Sequence, residues 1–276
     1  MVQNWVSKAD APEMEGKQYH IQCAPGDIAE YVLLPGDPGR CDTIAASWDD
    51  KHFVAHNREH RSFTGVTGGA PISVVSTGMG GPAASIAIEE LLRIGSRTLI
   101  RLGTCGALQE EIRCGDLIIP TAAVRHDGAS SSYVEDSYPA SASHEVTLAL
   151  IEACEELGLR YHVGLTCSTS SFHCGQGRPG WKGFSQTSFE NIVEDMRRAN
   201  VLSFEMEAAT LFTLGNVYGF RSGCICVAVA NRITNEMISA PLEPAIAACN
   251  RAVQILFHRD QKTRAAGKKF WIPSLG

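Results

Sequence analysis

None of the ten cysteines is paired at CxxC spacing; they stand at 23, 41, 105, 114, 154, 167, 174, 224, 226 and 249. Structural zinc needs clustered ligands, and disulfide frameworks belong mainly to short secreted chains. Reduced, mostly buried thiols in a cytosolic protein are therefore the expectation. Residues 1–17 are polar and acidic, without the apolar centre of a secretory signal. No apolar run approaches the ~20 residues that a membrane span requires. Like charges form no block, and 30 acidic against 24 basic residues leave a net charge of −6. Such a balance offers no basic face to a nucleic acid. An anionic ligand would have to be held by local arginines against the overall field.

What is present is ordinary globular material: 44% hydrophobic and 20% charged over 276 residues, enough for a full-sized core. Short apolar, β-branched runs at 31–34, 72–76, 98–102, 117–121, 163–169 and 223–229 read as strands. Several are apolar throughout, as strands covered on both faces are. Helical patterns fit between them at 83–94, 144–157, 190–199, 205–218 and 241–257. Gly95 and Gly158 stop two of these helices, and Ser143 is a candidate N-cap. Alternation of this kind predicts an α/β fold, a three-layer α/β/α sandwich around a mixed central sheet. With no repeat and no linker, it forms one domain over 20–258, between a polar arm at 1–19 and a basic tail at 259–276.

Open α/β sheets bind ligands beyond the carboxyl ends of their strands, which directs attention to the loops at 35–40, 77–82, 103–106 and 172–178. Gly78-x-Gly80-x-x-Ala83 meets the loose dinucleotide fingerprint. The next strand, however, ends in Arg101 rather than in an acid for the ribose hydroxyls, so a tight strand-to-helix turn is the better reading. In Pro35-Gly36-Asp37-Pro38-Gly39-Arg40 the residues are common turn formers. Gly36 would also let a backbone N–H approach an anion, with Arg40 just beyond. Arg101, inside an apolar run, needs either a structural partner or an anion. Thr104 lies between two glycines and offers a hydroxyl. His52, His56 and His60 suggest a metal triad, but on a strand they span ~27 Å, too far for one ion. Glu205 and Glu207 are expected at a helix start, where residues two apart diverge and at most one faces a ligand.

Taken together, Pro35-Gly36-Asp37-Pro38-x-Arg40, Ser76-Thr77-Gly78-Met79-Gly80-Gly81-Pro82, Arg101-x-Gly103-Thr104-x-Gly106, Phe172-x-x-Gly175-Gln176-x-Arg178 and Glu205-Met206-Glu207 resemble the hexameric-type nucleoside phosphorylase family. The resemblance covers about residues 20–257. It is nearest to the uridine-cleaving members, because Phe172, Gln176 and Arg178 match a uracil-reading segment. Asn231-Arg232 also stands where purine-cleaving members carry Ser-Asp.

The resemblance implies an enzyme, a pentosyltransferase that cleaves uridine with inorganic phosphate to uracil and ribose 1-phosphate. A purine nucleoside phosphorylase and a non-catalytic nucleoside binder are the alternatives. By the same resemblance, Gly36, Arg40, Arg101 and Thr104 bind phosphate, together with Arg58 from a neighbouring subunit. Met206 and Glu207 bind the ribose, with His20 crossing to its 5′-hydroxyl. Cys105, Gly106, Phe172, Gln176, Arg178, Glu205 and Arg232 surround the base, with Cys105 where the bacterial pattern often has Thr. Since two residues cross between subunits, at least a dimer is implied. No cofactor is required, although Glu59 matches a carboxylate that binds an ion at the dimer interface. Ala83 stands where a serine ligand would be.

Overall fold

Buried strands with apolar residues on both faces need helices on both sides, and the computed structural model, which describes residues 8–275, arranges them so. A ribbon of β1 (Glu13–Met14) and β2 (Lys17–Gln18) precedes the main sheet. That sheet contains β3 (Tyr31–Leu34), β4 (Asp50–Asn57), β5 (His60–Thr67), β6 (Ala70–Val75), β7 (Thr98–Ala107) and β8 (Leu117–His126). It continues with β9 (Ala140–Ser141), β10 (Tyr161–Thr169), β11 (Val201–Glu205), β12 (Arg221–Asn231) and β13 (Glu236–Met237). The helices are α1 (Gly39–Ala46), α2 (Gly81–Arg93), α3 (His144–Glu156), α4 (Thr187–Glu190), α5 (Ile192–Arg198), α6 (Ala208–Tyr218) and α7 (Glu243–Ala265).

Alternation along β3 shows the three layers. Val32 and Leu34 join α2 and α6 in one core, while Tyr31 and Leu33 join α1, α3 and α7 in the other. The sheet is mixed: β3, β6, β7 and β12 run parallel at its centre, and β4–β5–β6 form an antiparallel edge. Periodicity did not indicate that five strands close on themselves. β7 pairs with β12, β12 with β8, β8 with β10, β10 with β11, and β11 again with β7. Register shifts after Gly164 in β10 and after Ala228 in β12 supply the bends.

This closure corrects two expectations. Residues 103–106, expected as a loop, stay in β7, because β12 pairs with them on one side and β11 reaches Gly106 and Ala107 on the other. Glu205, expected in a helix, ends β11, and α6 begins only at Ala208. The last helix also runs past 257 to Ala265, after which the Trp271 ring covers the Arg259 guanidinium at 3.9 Å. Residues 1–7 of the expected arm lie outside the described residues. Among the described residues, no helix is long and apolar enough to cross a membrane, and all ten cysteines are free.

The glycine-rich turn is the tight packing element expected. A Cβ on Gly81 would stand 2.5 Å from Thr210 Oγ1 and 2.8 Å from the Ala129 Cβ, so α2 could not seat against α6.

Candidate active site

β3, β7, β11, β10 and β12 deliver their carboxyl ends to one cavity of about 220 Å³. At its β3 end, Gly36 is stitched to the glycine-rich turn: Gly78 N–H donates to the Gly36 carbonyl at 3.0 Å, and Thr77 N–H to that of Pro35 at 2.9 Å. A Cβ on Gly36 would meet the Gly78 oxygen at 3.2 Å. Asp37 Oδ1 accepts from Gly39 N–H at 2.8 Å and so starts α1, which carries Arg40 to the cavity wall. Among the described residues, the Arg40 guanidinium has no hydrogen-bond or ion-pair partner.

Arg101 is the centre of the site. Its side chain is 7% exposed and lies over Gly103, where a Cβ would come within 2.7 Å of Cζ. Nε donates to Glu205 at 2.8 Å and Nη2 to Glu207 at 2.6 Å. Both carboxylates thus converge on one guanidinium, against the expectation of divergence, because Glu205 ends a strand and Glu207 caps a helix. Nη1 has no partner among the described residues.

Glu205 is fully enclosed. Beyond Arg101 it accepts from Glu207 N–H and Ala208 N–H, both at 2.8 Å, and from the Ser168 hydroxyl. Oε2 takes three of these four bonds and Oε1 the fourth, so the carboxylate ties Arg101 to the start of α6. Glu207 accepts a 2.5 Å hydrogen bond from Gly80 N–H, whose φ of 88° turns that amide inward. The glycine turn therefore orients a carboxylate.

Burial raises the Glu205 carboxyl to about 7; Arg101 pulls it down and Glu207 pushes it up again. The folded state holds this proton more tightly than the unfolded chain. The stability linked to it is complete below the ordinary carboxylate range and is lost as pH rises toward 7. Ionisation also adds a negative charge beside any anion on Arg101. The Glu205→Gln variant is therefore expected to show a lower phosphate KM than the wild type at pH 8, by roughly tenfold, with the two converging near pH 6. Parallel curves across this range would refute the assignment.

Beyond β10, Phe172, Gln176 and Arg178 line the same cavity. Arg178 Nη1 donates at 2.6 Å to the Gln176 Oε1 and to the Phe172 carbonyl, and its Cζ lies 4.0 Å over the Phe172 ring. Gln176 Nε2 donates to Thr169 Oγ1 at 3.0 Å, which fixes the amide orientation. Arg232 stands behind this segment, with Nη1 on the Gln176 carbonyl at 2.8 Å and its stem beside Gly106. Burial lowers both guanidinium pKa values, and the Arg232 charge adds to the effect on Arg178, which falls to about 10. No carboxylate among the described residues pairs with either.

Of the residues expected at a site, Gly36, Arg40, Arg101, Thr104, Cys105, Gly106, Phe172, Gln176, Arg178, Glu205, Met206 and Glu207 line this cavity. His20, Arg58, Glu59 and Arg232 do not. Arg58 sits at the β4–β5 turn with φ 53°, and its guanidinium is 5.8 Å from the Tyr19 ring. Sequence reasoning missed Phe204, Val229, Ala230 and Met237 as lining residues. Val229 and Ala230 could have been found as the carboxyl end of an expected strand. Met237 carried no such signal.

Residues 30–258 match the phosphorylase superfamily. The chain is 53% identical to a uridine phosphorylase of Thermococcus kodakarensis, over all of this chain and 99% of the relative. It is 39% identical to the uridine phosphorylase of Escherichia coli, over 80% of this chain and 89% of the relative. A guanosine phosphorylase of Halorubrum lacusprofundi is 37% identical over 81% and 88%. The match spans every strand that delivers a residue to the cavity, from β3 to β13, and the chain belongs to the phosphorylase superfamily.

Proposed function

We infer that the chain is a pentosyltransferase that cleaves uridine with inorganic phosphate, yielding uracil and ribose 1-phosphate with inversion at the anomeric carbon. The observation that carries this is a single cavity lined by the guanidiniums of Arg40, Arg101 and Arg178 and by the carboxylate of Glu207. Arg40 follows β3 at the start of α1, and Arg101 projects from within β7. Arg178 lies beyond β10, three strand steps from β3. A phosphate, a ribose and a base fill such a cavity in that order. Relatives named uridine phosphorylase support the same reading.

Phosphate held by Arg40, Arg101 Nη1 and Thr104 attacks C1′ from the face opposite the base. The C1′–N1 bond breaks and its electron pair passes into the pyrimidine, spreading over O2 and O4. Arg178 and the oriented Gln176 amide donate to those oxygens, a form of stabilisation worth several kcal/mol. The uracil anion then takes up a proton. Glu207 accepts from the ribose hydroxyls, and Met206 packs against the sugar. Arg58 and His20, absent from the cavity wall of their own chain, complete the site of a neighbouring subunit, so the active unit is at least a dimer. The reaction as written draws on no cofactor. Glu59, which does not line the cavity, is the carboxylate that would hold an ion shared between two subunits. Ten free cysteines support a cytoplasmic setting.

The guanosine phosphorylase among the relatives makes a purine substrate the second reading. Against it, purine departure needs an acid near N7. The cavity's carboxylates are Asp37, beside the β3 loop, and Glu205 and Glu207, both bound to Arg101. Uridine, thymidine, inosine and adenosine should be compared with and without phosphate. Phosphate-dependent release of uracil, with inosine and adenosine at least about a hundredfold poorer, is the expected result. Release without phosphate would exclude a phosphorylase, and faster inosine cleavage would establish the purine reading.

A further inference from the structure

Ahead of β3 lies a histidine whose polar atoms are nearly all engaged. Glu90, on α2, is only 4% exposed, and its carboxylate accepts from the backbone N–H of His20 at 3.0 Å and of Ile21 at 2.8 Å. The same carboxylate meets His20 Nδ1 at 2.7 Å. From the other side, Asn57 Nδ2 donates to the His20 carbonyl at 2.8 Å. The imidazole stands edge-on to the rings of Tyr19 and His60, at 4.8 and 6.5 Å. What remains is Nε2. It has no partner among the described residues and belongs to a side chain 24% exposed.

A buried carboxylate is costly unless donors surround it, and Glu90 has three. Two backbone N–H groups fix the chain at His20 and Ile21. The third donor, Nδ1–H, fixes the tautomer and rotation of the ring and leaves Nε2 as the outward atom. Where a base is oriented by a third group for work on a ligand, the arrangement is the same. An ion pair serving stability alone would not require a backbone held on both sides of the residue and a ring fixed through Nδ1 with its last nitrogen open.

We propose that Glu90 is a positioning residue that aligns His20 so that Nε2 meets the ribose 5′-hydroxyl of a nucleoside in the neighbouring subunit. This rests on the uridine-cleaving reading and on His20 crossing to that subunit. Glu90 itself touches no substrate. Its effect passes through His20 to one hydroxyl, and that restriction separates it from a residue that merely holds α2 in place.

The test compares uridine with 5′-deoxyuridine, which lacks that hydroxyl, in the full-length wild type, His20→Ala, Glu90→Gln and the double variant. The wild type is expected to favour uridine in kcat/KM by about tenfold, the scale of one hydrogen bond to a polar partner. Both single variants are expected to lose most of that preference, chiefly through KM for uridine, and the double variant to lose no more than either. If Glu90→Gln keeps the wild-type preference, or loses equally on both substrates, Glu90 only packs and the proposal is overturned. If the wild type cleaves uridine but shows no preference, His20 does not meet the 5′-hydroxyl, and the proposal fails while phosphorolysis stands. If the wild type does not cleave uridine at all, the underlying reading fails. Should Glu90→Gln not fold, Glu90→Asp keeps the charge but withdraws it by one methylene. A partial loss of preference is then expected, and an unchanged preference overturns the proposal.

Discussion

Replacing Arg101 by alanine is expected to lower kcat/KM for phosphorolysis by about a thousandfold or more and to destabilise the fold at the same time. The guanidinium serves two acceptors and keeps a donor in reserve: Nε goes to Glu205, Nη2 to Glu207, and Nη1 has no partner among the described residues. Its loss removes the anion's main donor and strands two carboxylates beneath β7. Breaking a buried pair by removing one partner typically costs about 3–5 kcal/mol. Arg101→Lys should rescue only part of this, because an ammonium cannot reproduce a planar fork toward two separate carboxylates. Steady-state kinetics over a range of phosphate, together with thermal unfolding, would test the claim. A variant that melts like the wild type and keeps its phosphate KM would show that Arg101 is not the centre of the site.

Arg178→Ala is expected to behave differently. The side chain is half-buried, crowded by Arg232, and pairs with no described carboxylate. Its removal relieves an unfavourable desolvation, so the melting temperature should stay level or rise slightly, as is common when a functional residue carries local strain. Catalysis should suffer, with kcat for uridine falling by roughly 10²- to 10³-fold as the departing base loses a donor. Phosphate KM should change little, because Arg178 follows β10, whereas Arg40 and Arg101 are carried by α1 and β7. Leaving-group acidity gives the sharper check. With 5-fluorouridine the departing anion needs less stabilisation, so the penalty from Arg178→Ala should shrink. An equal penalty on both nucleosides would mean that Arg178 orients Phe172 and Gln176 without meeting the developing charge.

The contrast between these arginines shows how far residues alone could lead. An arginine within an apolar run had to have a partner, and that inference was sound. The sequence could not show that Arg101 has structural partners and a free donor together. Ion pair and anion site had looked like competing explanations, but the geometry lets both hold, since the ion pairs use Nε and Nη2 and leave Nη1 without a partner among the described residues. The two glutamates were misjudged for a related reason. Spacing of two was read on a helix, where side chains diverge, but Glu205 and Glu207 straddle the boundary between β11 and α6. Residues 103–106 looked like a loop because glycine is rare in strands. Here Gly103 leaves room for the Arg101 guanidinium lying across the strand.

By itself the sequence determined the layered α/β architecture and the strands buried on both faces and, through motifs that resemble a known family, most of the cavity lining. These follow from local pattern: short β-branched runs, helical periodicity, and short loop motifs whose chemistry is carried by a few adjacent residues. Only the tertiary structure decided that β7, β12, β8, β10 and β11 close on themselves, that Arg101 gathers both glutamates, and that Glu90 clamps His20 from 70 residues away. Each depends on contacts between distant segments, set by sheet curvature and burial rather than by neighbouring residues. Pairing across such distances leaves no periodic trace in one chain.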